Sequence, residues 1–103
     1  MTDRPETEPR QWKLVIHGGA GAMRPSHGDA DHEERAPRGL REGLDAGASV
    51  LSEGGSAADA VEAAVRILED DPCFNAGRGS ALNAEGLVEL DAAIMDGRNR
   101  RAG

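Results

Sequence analysis

The stretch K-L-V-I-H-G-G-A-G-A (13–22) ends an apolar run in a histidine and then places three glycines within four residues. Clustered glycines let a backbone turn sharply or run close to another group. A phosphate, an oxyanion or another part of an active site could require that approach. A dinucleotide fingerprint needs G-x-G-x-x-G opening a helix, and counting from Gly19 and Gly21 the third position is Arg24. A phosphate-binding loop needs G-K-[ST], and Lys13 is the only lysine. An H-G-G oxyanion loop of the α/β-hydrolase kind needs a G-x-S-x-G elbow. Gly54-Gly55-Ser56-Ala57-Ala58 comes nearest, lacks the last glycine and reads better as a helix start. His17, His27, His32 and Cys73 show no zinc-ligand spacing, and His27 and His32 read as solvated loop residues.

Two further stretches carry polar groups among small residues: D-P-C-F-N-A-G-R-G-S (71–80) and V-E-L-D-A-A-I-M-D-G (88–97). Glu89 and Asp91 could pass for a catalytic carboxylate pair. On a strand they share one face while Val88, Leu90 and Ala92 share the other, so amphipathic patterning accounts for them. No catalytic role is assigned to Glu89, Asp91 or Asp96.

The elements that position these stretches follow from punctuation and period. Residues 1–11 are polar with two prolines and read as a flexible tail, leaving 12–103 as the folded part. Leu14, Val15 and Ile16 predict a short buried strand. Residues 22–38 are charged and aperiodic, which predicts a loop. Leu40, Leu44, Ala48 and Leu51 recur at helical spacing and stop at Gly54-Gly55. Ser56 opens S-A-A-D, a capping-box variant, before a second helix with Ala57, Ala60, Val61, Ala64, Val65 and Leu68 on one face. Pro72 lies just past its end. Runs at 80–83 and 87–95, joined by A-E-G, predict a hairpin, and G-R-N-R turns the chain once more.

The 103 residues suffice for one small domain with an Ala/Val/Leu/Ile core, since only one Trp and one Phe are present. A net charge of −7 speaks against a nucleic-acid surface and against anionic membranes. One cysteine allows no intrachain disulfide, and no stretch has the length and apolarity of a membrane span or signal core. A cytoplasmic location is expected.

Taken in order and register, V-I-H-G-G-A-G-A (15–22), G-S-A-A-D-A-V-E-A-A-V (55–65), 71–80 and 88–97 resemble the plant-type L-asparaginase/isoaspartyl peptidase family. The resemblance implies an α/β fold, the αββα sandwich of N-terminal-nucleophile hydrolases, here as an N-terminal portion with two helices and about three strands. It implies a precursor that cuts itself before an internal threonine, whose freed amine and hydroxyl then attack L-asparagine or β-aspartyl dipeptides. Glycosylasparaginase- and taspase-type hydrolases share that architecture. A non-catalytic α/β binding module is the alternative from another class.

Thr2 and Thr7 are the only threonines, both before the first strand, so the nucleophile is expected outside these residues. On this reading the chain is the first part of an α subunit, inactive alone, and the run at 101–103 is an interruption. Its partners are the remainder of the precursor, in an (αβ)2 assembly, and the substrate. The resemblance also places His17, Gly18, Gly19, Ala20 and Gly21 in a loop beside the threonine. The alternative for that loop is a plain strand-to-loop turn. Asn75 is implied to support the nucleophile region, or else to bond its own turn. No organic cofactor is implied. The main-chain carbonyls of Leu68, Glu69, Asp71, Phe74, Ala76 and Arg78 are implied to hold a structural sodium or potassium ion. Alone, the chain should leave Val15, Leu87, Ile94 and Met95 uncovered and be aggregated, oligomeric or molten.

Overall fold

Ala36, Gly39, Gly43 and Gly47 follow helical spacing, and all four are buried in the computed structural model, which describes residues 11–19 and 30–103. They line one side of α1 (Ala30–Ser52). Facing them, α2 (Ala57–Asp70) buries Ala60, Ala64 and Leu68. The helices meet through small residues, so their backbones come close. A Cβ at Gly47 would lie 3.1 Å from the Ala60 carbonyl oxygen and 3.4 Å from the Ala64 Cβ. One at Gly43 would lie 3.4 Å from the Ala64 carbonyl oxygen.

The helix termini match their sequence signals. After α1, Gly54 takes φ +86°, Gly54 N donates to Leu51 O at 3.1 Å and Gly55 N to Val50 O at 2.8 Å. This 6→1 and 5→2 pair is a Schellman motif, with glycine where a side chain would be strained. At α2, Ser56 Oγ accepts from Asp59 N at 3.0 Å, as the S-A-A-D pattern implies. The helix stops at Asp70, before Pro72.

Three expectations need correction. Residues 30–38, read as loop, form the first turns of α1, and Pro37 sits inside it. A helix start needs no apolar period, because its backbone bonds close regardless of side-chain polarity. The remainder of the expected loop, 22–29, and the polar tail up to residue 10 lie outside the described residues. Residues 13–16 are extended but join no ladder among the described residues. Leu14 and Ile16 are half-buried against Gly47 and Gly43, whereas Val15 is 88% exposed. The run is apolar on both faces, and α1 covers only one.

The third correction concerns the hairpin. The A-E-G turn forms, with Gly86 at φ +78°, Gly86 N donating to Asn83 O at 3.0 Å and Asn83 N to Leu87 O at 2.8 Å. The flanking runs 80–83 and 87–94 then diverge without forming strands. The ladder appears one turn later, where β1 (Met95–Asp96) pairs antiparallel with β2 (Arg101–Ala102). Ile94 and Gly103 extend it with a reciprocal pair of 2.9 Å bonds. The fold is thus α/β, with two helices and a short two-stranded sheet.

Asp96 ties that last turn. Its Oδ1 accepts from Arg98 N at 3.0 Å and its Oδ2 meets the Arg98 guanidinium at 2.7 Å. Hydrogen bonds from the Arg98 side chain, then from its backbone, hold the carboxyl down from an ordinary 3.8 to about 2. The folded value is the lower one, so the turn gains from the pair above the ordinary carboxylate range and loses that gain as pH falls toward 2. In a carboxyl-detected NMR titration Asp96 should titrate near 2, and Arg98→Gln should return it toward 3.8. An unchanged midpoint in the variant would show that Arg98 is not the cause.

Candidate functional site

The first two motifs meet on a phenyl ring. Phe74 is 3% exposed and is the largest residue of the core. A Cβ on Gly18 would lie 3.2 Å from its Cε1, and one on Gly39 would lie 2.5 Å from its Cε2. The ring is therefore wedged between the glycine loop on one edge and α1 on the other. Leu40 completes this socket, with Cδ2 3.1 Å from the same Gly18 position. Three separate stretches, 17–19, 39–40 and 71–80, are locked together here.

Within the first loop His17 is exposed, and its Nδ1 accepts from Gly19 N at 2.9 Å. Gly19 takes φ +108°, a region that L side chains rarely adopt. A side chain on Gly18 would crowd Leu40 and Phe74, while among the described residues no atom lies within 4 Å of the Gly19 Cβ direction. The loop is thus fixed at Gly18 by packing and at Gly19 by a hydrogen bond. Ala20 and Gly21 lie outside the described residues.

The second loop is curled by its own polar groups. Asp71 Oδ1 accepts from Cys73 N at 2.9 Å, and Asp71 O accepts from Phe74 N at 3.2 Å. Asn75 Oδ1 accepts from Ala81 N at 2.7 Å and spans the loop across six residues. Arg78 N donates to Glu69 O at 2.8 Å, returning the chain to the end of α2. The Arg78–Asp70 ion pair, at 3.5 Å with both side chains exposed, adds little.

The curl turns carbonyls inward. A Cβ on Gly79 would collide with the Pro72 and Phe74 carbonyl oxygens, and one on Gly77 would lie 2.5 Å from the Glu69 carbonyl oxygen. Leu68 and Glu69 are in the last turn of α2, whose terminal carbonyls lack intrahelical donors and carry the negative end of the helix dipole. Glu69 and Asp71 each accept one backbone N–H. A carbonyl oxygen has two lone pairs, so both retain acceptor capacity. Carbonyl oxygens are hard donors of the kind that hard cations take. No cluster of three or more His, Cys, Asp or Glu side chains fit to hold a metal occurs among the described residues.

The second and third motifs face each other across an open cleft of about 440 Å³. Asn75 and Ser80 line it from one side and Glu89 and Asp91 from the other. Ser80 Oγ is buried without a hydrogen-bond partner among the described residues. Nothing in the sequence singled out that hydroxyl. The sequence also pointed to Phe74 only for its carbonyl, whereas its side chain joins the motifs. Gly39 and Leu40 were read as helix alone, and the lone phenylalanine of the chain was the available signal for their second role. No helix among the described residues is long and apolar enough to cross a membrane.

The asparaginase family profile matches residues 10–103. The human isoaspartyl peptidase/L-asparaginase is 52% identical over 91 residues, which span 87% of this chain and 28% of the human protein. The bovine isoaspartyl peptidase/L-asparaginase is 49% identical over 90 residues, with the same shares of 87% and 28%. A plant-type L-asparaginase of Pyrococcus abyssi is 50% identical over 93 residues, again 87% of this chain and 28% of the relative. The chain therefore spans little more than a quarter of the length of these relatives. The match takes in all three motifs and the helices between them, and this chain belongs to the asparaginase family.

Proposed function

We propose that this chain is the N-terminal segment of a precursor that hydrolyses L-asparagine and β-aspartyl dipeptides. The observation that carries the reading is the family match over 10–103, on a chain whose glycine loop is packed against the second motif through Phe74. In this reading the complete protein is an αββα sandwich of the N-terminal-nucleophile class, cut at an internal threonine and acting in the cytoplasm. A terminal threonine amine serves as general base for its own hydroxyl. Donors around the tetrahedral intermediate stabilise its oxyanion. Residues 12–103 supply the α-subunit start, not the nucleophile, since Thr2 and Thr7 precede the first extended segment.

The chain's own part is to position. His17, Gly18, Gly19, Ala20 and Gly21 form the loop beside the nucleophile, and Asn75 holds the second loop in shape behind it. The main-chain carbonyls of Leu68, Glu69, Asp71, Phe74, Ala76 and Arg78 hold sodium or potassium, whose charge fixes the curl. The remainder of the precursor covers the exposed apolar residues, and two processed pairs assemble as (αβ)2.

Ammonia release from L-asparagine and amino-acid release from β-aspartyl dipeptides should be measured on the full-length polypeptide and on residues 1–103. Only the full-length form should act. Activity from 1–103 alone, or none from a full-length form that has cleaved itself, overturns the reading. In the full-length form sodium or potassium should raise the melting temperature by mass action. Gly79→Ala should abolish that rise, because the added methyl takes the place of inward carbonyls. A melting temperature indifferent to both cations counts against the ion.

A further inference from the structure

We propose that His17 is a positioning residue that works through Nδ1, by clamping the Gly19 amide, and not through its Nε2 proton. The inference rests on the hydrolase reading above only for its effect on cleavage and turnover. The clamp itself rests on geometry. Gly19 N–H points at Nδ1 over 2.9 Å, which requires that nitrogen to be unprotonated. The neutral ring then carries its proton on Nε2. Gly19 stands at φ +108°, and among the described residues no atom lies within 4 Å of its Cβ direction, so the hydrogen bond to His17 is the contact they supply there. The neighbouring Gly18 is held by Leu40 and Phe74. Freed from His17, the loop would still be anchored at Gly18, but the Gly19 backbone would lose its hydrogen-bonded partner.

Two substitutions separate the ring's nitrogens. Asparagine places Oδ1 at the same number of bonds from the backbone as Nδ1, and an Asx turn accepts the same i+2 amide. Glutamine places its amide nitrogen at the reach of Nε2 and offers no acceptor at the Nδ1 position. His17→Asn thus keeps the clamp without the Nε2 proton, and His17→Gln keeps a donor without the clamp.

The experiment uses the full-length polypeptide, with precursor cleavage followed by gel and turnover by ammonia release from L-asparagine. His17→Asn should cleave and turn over within about threefold of the unsubstituted protein. His17→Gln should be slower by about five- to tenfold, the scale of one lost hydrogen bond, in kcat more than in KM. The reverse ranking, or equal rates in all three, overturns the clamp. Selective 15N-histidine labelling, with His17→Gln for assignment, gives a readout free of activity. An unprotonated Nδ1 with a protonated Nε2 supports the clamp, and the opposite tautomer sinks it. If the unsubstituted protein neither cleaves nor turns over, the hydrolase reading fails and the tautomer still decides the clamp.

Discussion

Phe74→Ala should remove most of the helical circular-dichroism signal of the 103-residue chain at 25 °C. Among the described residues the buried hydrophobic side chains are Ala36, Ala60, Ala64, Leu68 and Phe74, so four of the five are alanine or a single leucine. The ring alone reaches three stretches, touching the sites of Gly18 and Gly39 and closing the second loop. Truncating a buried phenylalanine costs about 3–5 kcal/mol when the cavity cannot collapse. Small domains have about 5–15 kcal/mol in all. A chain with so little else buried sits at the low end. Phe74→Leu, which fills most of the volume, should cost about 1–1.5 kcal/mol and keep the helices. Equal helix content in Phe74→Ala and the unsubstituted chain would show that α1 and α2 stand on their own contacts.

The second large effect is association. Val15, Leu87, Ile94 and Met95 are all exposed, as are Leu82, Val88 and Leu90 nearby. Most lie in 82–95, where backbone bonds among the described residues gather at the 83–87 turn and at the 94–95 end and leave the run between them without a ladder. Apolar side chains beside unpaired backbone donors and acceptors favour self-association. The isolated chain should therefore run as oligomers in light scattering at micromolar concentration. Leu87→Lys with Met95→Lys should shift it toward monomer, since neither side chain belongs to the buried set. A monomer without any substitution would mean that the open stretch folds back on itself.

Local signals were the most legible. The Gly54-Gly55 stop, the Ser56 cap and the Gly86 turn each depend on a few adjacent residues, and each took the expected form. The α2 helix was legible for the same reason, but of the face read from its period only Ala60, Ala64 and Leu68 are buried, while Ala57, Val61 and Val65 are exposed because α1 covers a narrower strip. Strands were not legible. A strand needs a partner, and of the runs 13–16 and 87–95 that read as strands only Met95 enters a ladder among the described residues. The first turns of α1 were hidden because residues 30–38 are charged and aperiodic, so no apolar stripe marked them as helix. At the site, the glycines stood out by type and spacing, whereas Asn75 was pointed to only through the family resemblance. The contact between Gly18, Gly39 and Phe74 joins residues far apart in the chain, and no local pattern encodes it.

The wedged ring has a consequence for variation. Gly18, Gly39 and residue 74 share one volume, so none can grow unless another shrinks. Gly39→Ala on its own pushes a methyl against both the ring and the Asp71 carboxylate, so pairing it with Phe74→Leu relieves the ring side of that crowding and leaves the Asp71 side. Across divergent sequences these three positions should change together or not at all. A glycine kept for that reason looks like a catalytic requirement, although what holds it constant is the size of a neighbour.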